Sequence, residues 1–172
     1  MRQIILGIAM CLISFWGAMG MRATAAGAPA PPPAPAPAFE LVTFEGESYS
    51  NLSLKGRPIL LVFWAPWCNV CQRELPALAE FYRRDKPEKL DVVSIGFADS
   101  RTNVERFVKE RPETFVYPTA YDEDRWVAQA FKVNATPTYV VLDAQGSIAL
   151  VHRGGGVLQN LGFRELLLGM KG

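Results

Sequence analysis

Two kinds of hydrophobic spacing alternate along the chain after residue 38. Continuous apolar runs such as Ile59–Trp64 are typical of strands covered on both faces of a sheet. Elsewhere the apolar residues recur every three or four positions, which predicts helices. The first such set comprises Cys71, Leu75, Leu78 and Tyr82. Strands that alternate with helices predict a parallel strand pair joined by a crossover, within an α/β fold.

The same two spacings, together with turn residues, predict the other elements. Strands are predicted at 39–44 and 47–49, which form a hairpin, and at 90–97, 115–119, 138–143 and 147–153. Pro76 is expected to kink the first helix without ending it. A second helix is predicted to begin at Thr102, in capping-box spacing with Glu105. A third follows Asp122 or Asp124 and places Trp126 in the core, and a last one contains residues 163–170.

The first 28 residues have the organisation of an export signal. Arg2 precedes an uncharged stretch at 4–21, and a run of small residues follows at 23–28. This order predicts a signal peptide, but the stretch is also long enough to span a bilayer of about 30 Å as an anchor. In both cases the rest of the chain is exported. We therefore expect a periplasmic or extracytoplasmic domain, either soluble after signal cleavage or anchored by residues 4–21.

A segment rich in proline and alanine separates this signal from the folded part. Residues 29–37 predict a stiff polyproline II linker that would hold a domain away from a membrane surface. A disordered mature N-terminus is the alternative interpretation. The domain itself is predicted at 38–172.

Composition and charge indicate one globular domain. The chain has 172 residues, of which 49% are apolar and 20% charged, and its net charge is +1. Such a near-neutral chain has no basic field for nucleic acid, so no nucleic-acid partner is expected. Cys11 lies inside the apolar signal stretch and is assigned no redox role.

The candidate chemistry lies where the first apolar run meets the first helix. Cys68 and Cys71 are three residues apart at the start of that helix, so their thiols share one face within bridging distance. Cys68 is nearer the helix N-terminus, whose free N–H groups stabilise a thiolate. We therefore predict that Cys68 is the nucleophile and that Cys71, one turn deeper, resolves the mixed disulfide.

Three other uses of a cysteine pair remain open at this point. A structural disulfide would constrain the unfolded chain little, because the loop is so short. Half of a zinc site would need two more ligands, although the chain contains one histidine, His152. A Cu(I) carrier could use both thiols and His152. We predict no bound metal and no cofactor.

The segments around these cysteines resemble a known family. Phe63-Trp64-Ala65-Pro66-Trp67-Cys68-Asn69-Val70-Cys71-Gln72-Arg73-Glu74-Leu75-Pro76 and the later Val133-Asn134-Ala135-Thr136-Pro137-Thr138 are similar to thioredoxin-like proteins of the TlpA/ResA type. The resemblance extends from Phe39 to about Gly172. It implies a thioredoxin-like fold with a central mixed sheet flanked by helices, an N-terminal β-hairpin and a short central strand–helix insertion.

The resemblance also implies roles for individual residues. Pro137 would be a cis proline facing the disulfide, and Thr136 would offer its backbone to a substrate strand. Glu74 would exchange a proton with the buried thiol, and its alternative is a solvated helix charge. Trp67 would give substrates an apolar contact. Val62 departs from thioredoxin itself, which has a buried Asp at this position, so proton transfer falls to Glu74 or water.

These features predict a thiol:disulfide oxidoreductase that reduces client proteins. Asn69 and Val70, between the cysteines, carry no charge that would strongly stabilise a thiolate, which favours a reductase. The resemblance implies a membrane thiol-transferring electron donor and clients such as apocytochrome c or copper-site cysteines. A thiol oxidase or isomerase and a non-catalytic Cu(I) carrier are the alternative functions.

Overall fold

The computed structural model describes residues 33–54 and 56–170. The predicted signal or anchor at 1–28 and the linker residues 29–32 lie outside the described residues. Within the described ranges, no helix is both long and apolar enough to cross a membrane.

Strands and helices follow one another in the order that the hydrophobic spacing predicts. The strands are β1 (Glu40–Val42), β2 (Ser48–Ser50), β3 (Ile59–Trp64), β4 (Asp91–Gly96), β5 (Thr119–Tyr121), β6 (Thr138–Leu142) and β7 (Ile148–Arg153). The helices are α1 (Asn69–Arg84), α2 (Arg101–Lys109), α3 (Trp126–Ala130) and α4 (Leu161–Met170). As predicted, α1 continues through Pro76.

Five strands form one mixed sheet in the order β5-β4-β3-β6-β7. β3, β4 and β5 are parallel, whereas β6 is antiparallel to both of its neighbours. β1 and β2 form a separate hairpin, which a bridge between Thr43 and Ala120 joins to β5. The predicted parallel pair and the predicted mixed sheet with an N-terminal hairpin are therefore confirmed.

The central strand β3 divides the core into two parts, because alternate side chains of a strand point to opposite faces. All six of its residues are buried. Leu60, Val62 and Trp64 pack with residues of α1, α2 and α4, including Leu75, Val104 and Phe163. On the other face, Ile59, Leu61 and Phe63 pack with the hairpin and α3, including Leu41, Val127 and Phe131.

The strand predicted at 115–119 is placed too early. β5 begins only at Thr119, because the preceding segment turns back on itself. The N–H of Phe115 donates to the carbonyl of Arg111 at 3.1 Å, and its ring lies 4.8 Å from that of Trp64. Phe115 therefore packs against the core from a turn, partly buried.

One helix start differs from its capping prediction, and another agrees with it. Ser100, not Thr102, caps α2, and its Oγ accepts a hydrogen bond from the Asn103 N–H at 3.2 Å. Before α3, the Asp122 carboxylate accepts from the N–H groups of Val127 and Ala128 at 2.9 and 2.7 Å. Of the two predicted caps for this helix, Asp122 is therefore the one used.

The prediction that Trp126 lies in the core is wrong. Its side chain is 61% exposed. Asp124 and Arg125 have positive φ angles of 52° and 60°, so the helix begins only at Trp126. Val127 and Ala128 carry its buried face instead.

The described end of the predicted linker lies along the sheet. Pro35 forms an antiparallel bridge with Ser147, just before β7. The carbonyl of Ala34 accepts from the N–H of Ile148 at 2.8 Å, and the N–H of Ala36 donates to the carbonyl of Gly146 at 3.0 Å. Residues 34–36 are therefore held beside β7.

Candidate active site

Cys68 and Cys71 form a disulfide where β3 leads into α1. Their Cα atoms are 5.2 Å apart. Cys68 is the N-cap residue of α1, and its Sγ accepts a hydrogen bond from the Cys71 N–H at 3.1 Å. An N-cap side chain faces the free N–H groups of the first helical turn. The predicted position of Cys68 at the positive end of the helix is confirmed.

The two sulfurs differ in depth. Cys71 is fully buried, whereas Cys68 is 5% exposed. Cys71 packs in the core with Leu75 and Val62. Cys71 is therefore the deeper residue of the pair, as the sequence predicted.

Pro137 lies at the same edge of the sheet as the cysteines. Thr138, the first residue of β6, pairs with Phe63 near the end of β3, so Pro137 lies beside the point where the chain leaves β3. The Thr136–Pro137 peptide bond is cis, as expected. Within residues 33–54 and 56–170, the backbone N–H and C=O of Thr136 make no backbone hydrogen bond.

The loop before Cys68 presents an exposed aromatic ring. Trp67 is 60% exposed, and its Nε1–H donates to the carbonyl of Ala98 at 3.0 Å. Ala98 follows β4, so the hydrogen bond joins the ends of two neighbouring strands. Trp64, by contrast, is fully buried, as predicted.

Glu74 lies one turn beyond Cys71 on α1, but it is not a freely solvated helix charge. It is half-buried, and its Oε2 accepts a 2.7 Å hydrogen bond from the N–H of Gly156, which follows β7. The carboxylate is therefore held between α1 and the end of β7.

Tyr139 is the buried polar residue that the sequence interpretation missed. It pairs with Val62 across β3 and β6, and both are fully buried in the core cluster that contains Cys71. Its hydroxyl has no hydrogen-bond partner among the described residues. Burial, and then the negative charge of Glu74, raise the pKa of Tyr139. The signal available in the sequence was a tyrosine directly before the apolar residues 140–142.

His152, the third ligand of the copper interpretation, has both ring nitrogens engaged. Nε2 lies 2.9 Å from the carbonyl of Gly155, and Nδ1 lies 3.3 Å from Nδ2 of Asn160. In the part of the chain that the structure describes, no three residues among His, Cys, Asp and Glu form a metal-binding group. The geometry therefore adds nothing in favour of a copper carrier.

Known proteins resemble this chain in sequence over most of the folded part. The thiol-disulfide oxidoreductase ResA of Bacillus subtilis is 30% identical over 116 residues, which cover 67% of this chain and 64% of ResA. The thioredoxin-like protein YneN of the same organism is 34% identical over 118 residues, covering 67% of this chain and 68% of YneN. The match with ResA thus spans slightly less than two thirds of that relative's length.

Solved structures share the arrangement of strands and helices. StoA from Bacillus subtilis superposes with a TM-score of 0.64 at 28% identity, over 76% of this chain and 97% of StoA. A thioredoxin family thiol:disulfide interchange protein from Chlorobium tepidum gives a TM-score of 0.66 at 27% identity, over 81% of this chain and 97% of that protein. The predicted thioredoxin-like fold is therefore confirmed. Because residues 31–160 also match the Redoxin family, the chain belongs to that family.

Proposed function

We propose that this chain is a thiol:disulfide oxidoreductase that reduces disulfides of client proteins through Cys68 and Cys71. The pairing of an N-cap cysteine at the sheet edge with a fully buried second cysteine carries this proposal. Two similar proteins support it, because the names of ResA and of the thiol:disulfide interchange protein from Chlorobium tepidum both refer to thiol–disulfide chemistry.

The reaction begins with the reduced pair. The Cys68 thiolate attacks one sulfur of the client disulfide, whose S–S bond breaks, and the other client sulfur leaves as a thiolate that takes up a proton. Cys71 then loses its proton, attacks Sγ of Cys68 and releases the second client sulfur, which is protonated in turn. The client gains two electrons and two protons, and the Cys68–Cys71 disulfide remains.

Glu74 is the proposed proton acceptor for Cys71. It follows Cys71 by three residues on α1, so the two side chains lie on the same side of the helix. Cys71 is fully buried and cannot give its proton directly to bulk water. A half-buried carboxylate at this position can take that proton and pass it outward.

Three further residues are proposed to bind the client. The backbone of Thr136 would pair with an extended client segment, and Pro137 would hold that backbone at the edge shared with the cysteines. Trp67 would cover an apolar side chain beside the client cysteine.

We place this activity outside the cytoplasm, in a soluble domain or one tethered to the membrane by its N-terminal segment. A reductase in an oxidising compartment needs a supply of electrons, which we assign to a membrane protein carrying a dithiol. Apocytochrome c and copper-site proteins are clients with suitable cysteine pairs.

The reduction potential of the Cys68–Cys71 pair tests the direction of electron flow. The titration is made in thiol redox buffers and monitored by tryptophan fluorescence. We expect a reduction potential below about −200 mV. A value above about −150 mV would instead make the protein an oxidase or isomerase.

Trapping tests the assignment of the two cysteines. Cys71→Ser should accumulate a mixed disulfide with a scrambled or cysteine-paired client, because Cys68 can attack but nothing resolves the product. Cys68→Ser is the matched control and should trap nothing. Equal trapping by both variants, or by neither, would contradict the assignment.

A further inference from the structure

We propose that His152 and the glycine turn, residues 154–156, position the Glu74 carboxylate for proton transfer with Cys71. This inference rests on the proposed function, because it concerns the step in which Cys71 resolves the mixed disulfide. His152, Gly155 and Gly156 act through Glu74 and are therefore positioning residues.

The first contact fixes one oxygen of the carboxylate. The Gly156 N–H donates a 2.7 Å hydrogen bond to Oε2 of Glu74, a residue 82 positions earlier in the chain. Hydrogen bonds from an N–H to a carboxylate are stronger than those between neutral groups. The contact holds Oε2 toward β7 and leaves the other oxygen, Oε1, out of this hydrogen bond.

The second contact is a close approach of the Glu74 carboxylate to the Cα of Gly155. A Cβ on Gly155 would lie 2.8 Å from Oε1 and 3.0 Å from Cδ of Glu74. Gly154 and Gly156 have positive φ angles of 89° and 84°. The φ angle of Gly155 lies outside this left-handed region. A side chain at position 155 would therefore displace the end of the Glu74 side chain, whereas the backbone conformation of Gly155 does not itself call for glycine.

His152 holds this turn in place from the end of β7. A carbonyl oxygen only accepts, so Nε2 of His152 carries the proton that it donates to Gly155 at 2.9 Å. Nδ1 can then accept from Nδ2 of Asn160 at 3.3 Å. Asn160 is itself oriented, because its Oδ1 accepts from the Phe163 N–H at 3.0 Å.

These contacts connect α4 to the carboxylate through one series of hydrogen bonds. The series runs from the first turn of α4 through Asn160 and His152 to the glycine turn, and from there to Glu74. The His152 ring also lies 6.0 Å from the ring of Tyr139, whose pKa is raised in part by the Glu74 charge. If His152 loses its hydrogen bond to Gly155, the turn can move and the hydrogen bond from Gly156 no longer fixes the Glu74 carboxylate.

Two substitutions of His152 distinguish the loss of its hydrogen bond to Gly155 from a change in side-chain size. His152→Gln keeps an N–H donor that can reach the Gly155 carbonyl, whereas His152→Leu removes it. The measurement uses the full chain with the mixed disulfide already formed on Cys68, and follows its resolution by Cys71. We expect His152→Leu to slow this resolution about fivefold, because one hydrogen bond is lost. His152→Gln should restore the rate, and the earlier attack by Cys68 should be unchanged in both. An unchanged resolution rate in His152→Leu, or equal slowing of both steps, would overturn the proposal.

A double substitution tests the contact at position 155 directly. Gly155→Ala should slow resolution in the wild-type background but have no further effect in Glu74→Ala, where the colliding side chain is gone. Gly169→Ala is the control, since its Cβ would meet nothing within 4 Å. Equal slowing by Gly155→Ala in both backgrounds would overturn the proposal while leaving the oxidoreductase function intact. If the wild-type chain exchanged no disulfide, the proposed function would fail and this inference with it.

Discussion

The indole N–H of Trp67 donates a 3.0 Å hydrogen bond to the carbonyl of Ala98, so the ring beside Cys68 is held by the loop that follows β4. The ring remains 60% exposed although its polar atom is satisfied within the protein. If a client binds this ring, as proposed, the ring meets it in a fixed orientation, and less entropy is lost on binding.

We predict that Trp67→Ala weakens the reaction with protein disulfides without impairing the cysteines. An exposed aromatic anchor at a binding surface contributes about 1.4 kcal/mol or more, so the KM for a protein disulfide should rise about tenfold. The rate with a small disulfide should change less than about twofold, because a small disulfide does not contact the ring. Trp67→Phe keeps an aromatic ring but loses the hydrogen bond, and should give an intermediate KM. If Trp67→Ala impaired the reaction equally with the protein disulfide and with the small disulfide, Trp67 would act in the redox step instead.

Glu74→Gln should slow the resolution step while leaving the fold intact. The amide retains an oxygen for the Gly156 N–H but cannot take a proton from Cys71. General base catalysis contributes about a hundredfold or more, so we expect release of the client to slow at least about tenfold. Rapid-quench measurement of the mixed disulfide would show it accumulating in this variant. Wild-type release rates in Glu74→Gln would rule out the proton-transfer role.

Gly96→Ala should destabilise the protein because the end of β4 is packed tightly against α2. A Cβ at this position would overlap Cγ1 of Val104 and lie 3.3 Å from the Trp64 ring. Overpacking of this kind costs about 1–3 kcal/mol of unfolding free energy, measurable by urea denaturation. In the Val104→Ala background the same substitution should cost less, since the colliding methyl group is absent. Additive losses in the double variant would contradict this explanation.

The stability of the protein should fall steeply at alkaline pH. Burial raises the pKa of Tyr117 and Tyr139 above the ordinary value of 10.0, so the folded state keeps both phenols protonated. The unfolded chain releases these protons from about pH 10 upward, which favours unfolding as the pH rises further. Circular dichroism and phenolate absorbance should therefore change together.

The variant carrying both Tyr117→Phe and Tyr139→Phe is the control for this pH dependence. It should lose less stability above about pH 10. At neutral pH it should be as stable as the wild type, because neither hydroxyl has a hydrogen-bond partner among the described residues. Ionisation of all five tyrosines in the folded protein would contradict the prediction.

Local signals in the sequence were sufficient for the central strand, the helix that follows it and the reactive pair between them. The apolar run 59–64 had to be covered on both faces, and a cysteine directly before a helix occupies the N-cap position whatever surrounds it. The burial of Cys71 was likewise expected from its place one turn into this helix. These features depend on neighbours within a few residues, which is why the sequence predicts them. The cis bond before Pro137 was expected from the family resemblance instead.

The tertiary structure alone decided which distant groups meet at the site. Glu74 contacts Gly156 across 82 positions, and Tyr139 faces Val62 only because β6 pairs with β3 in one register. The exposure of Trp126 depends on positive φ angles, and the late start of β5 depends on a turn from which Phe115 packs against Trp64. Hydrophobic spacing encodes neither of these. Periodicity describes which face of an element is buried, whereas contacts between elements depend on how the whole sheet and its helices pack together.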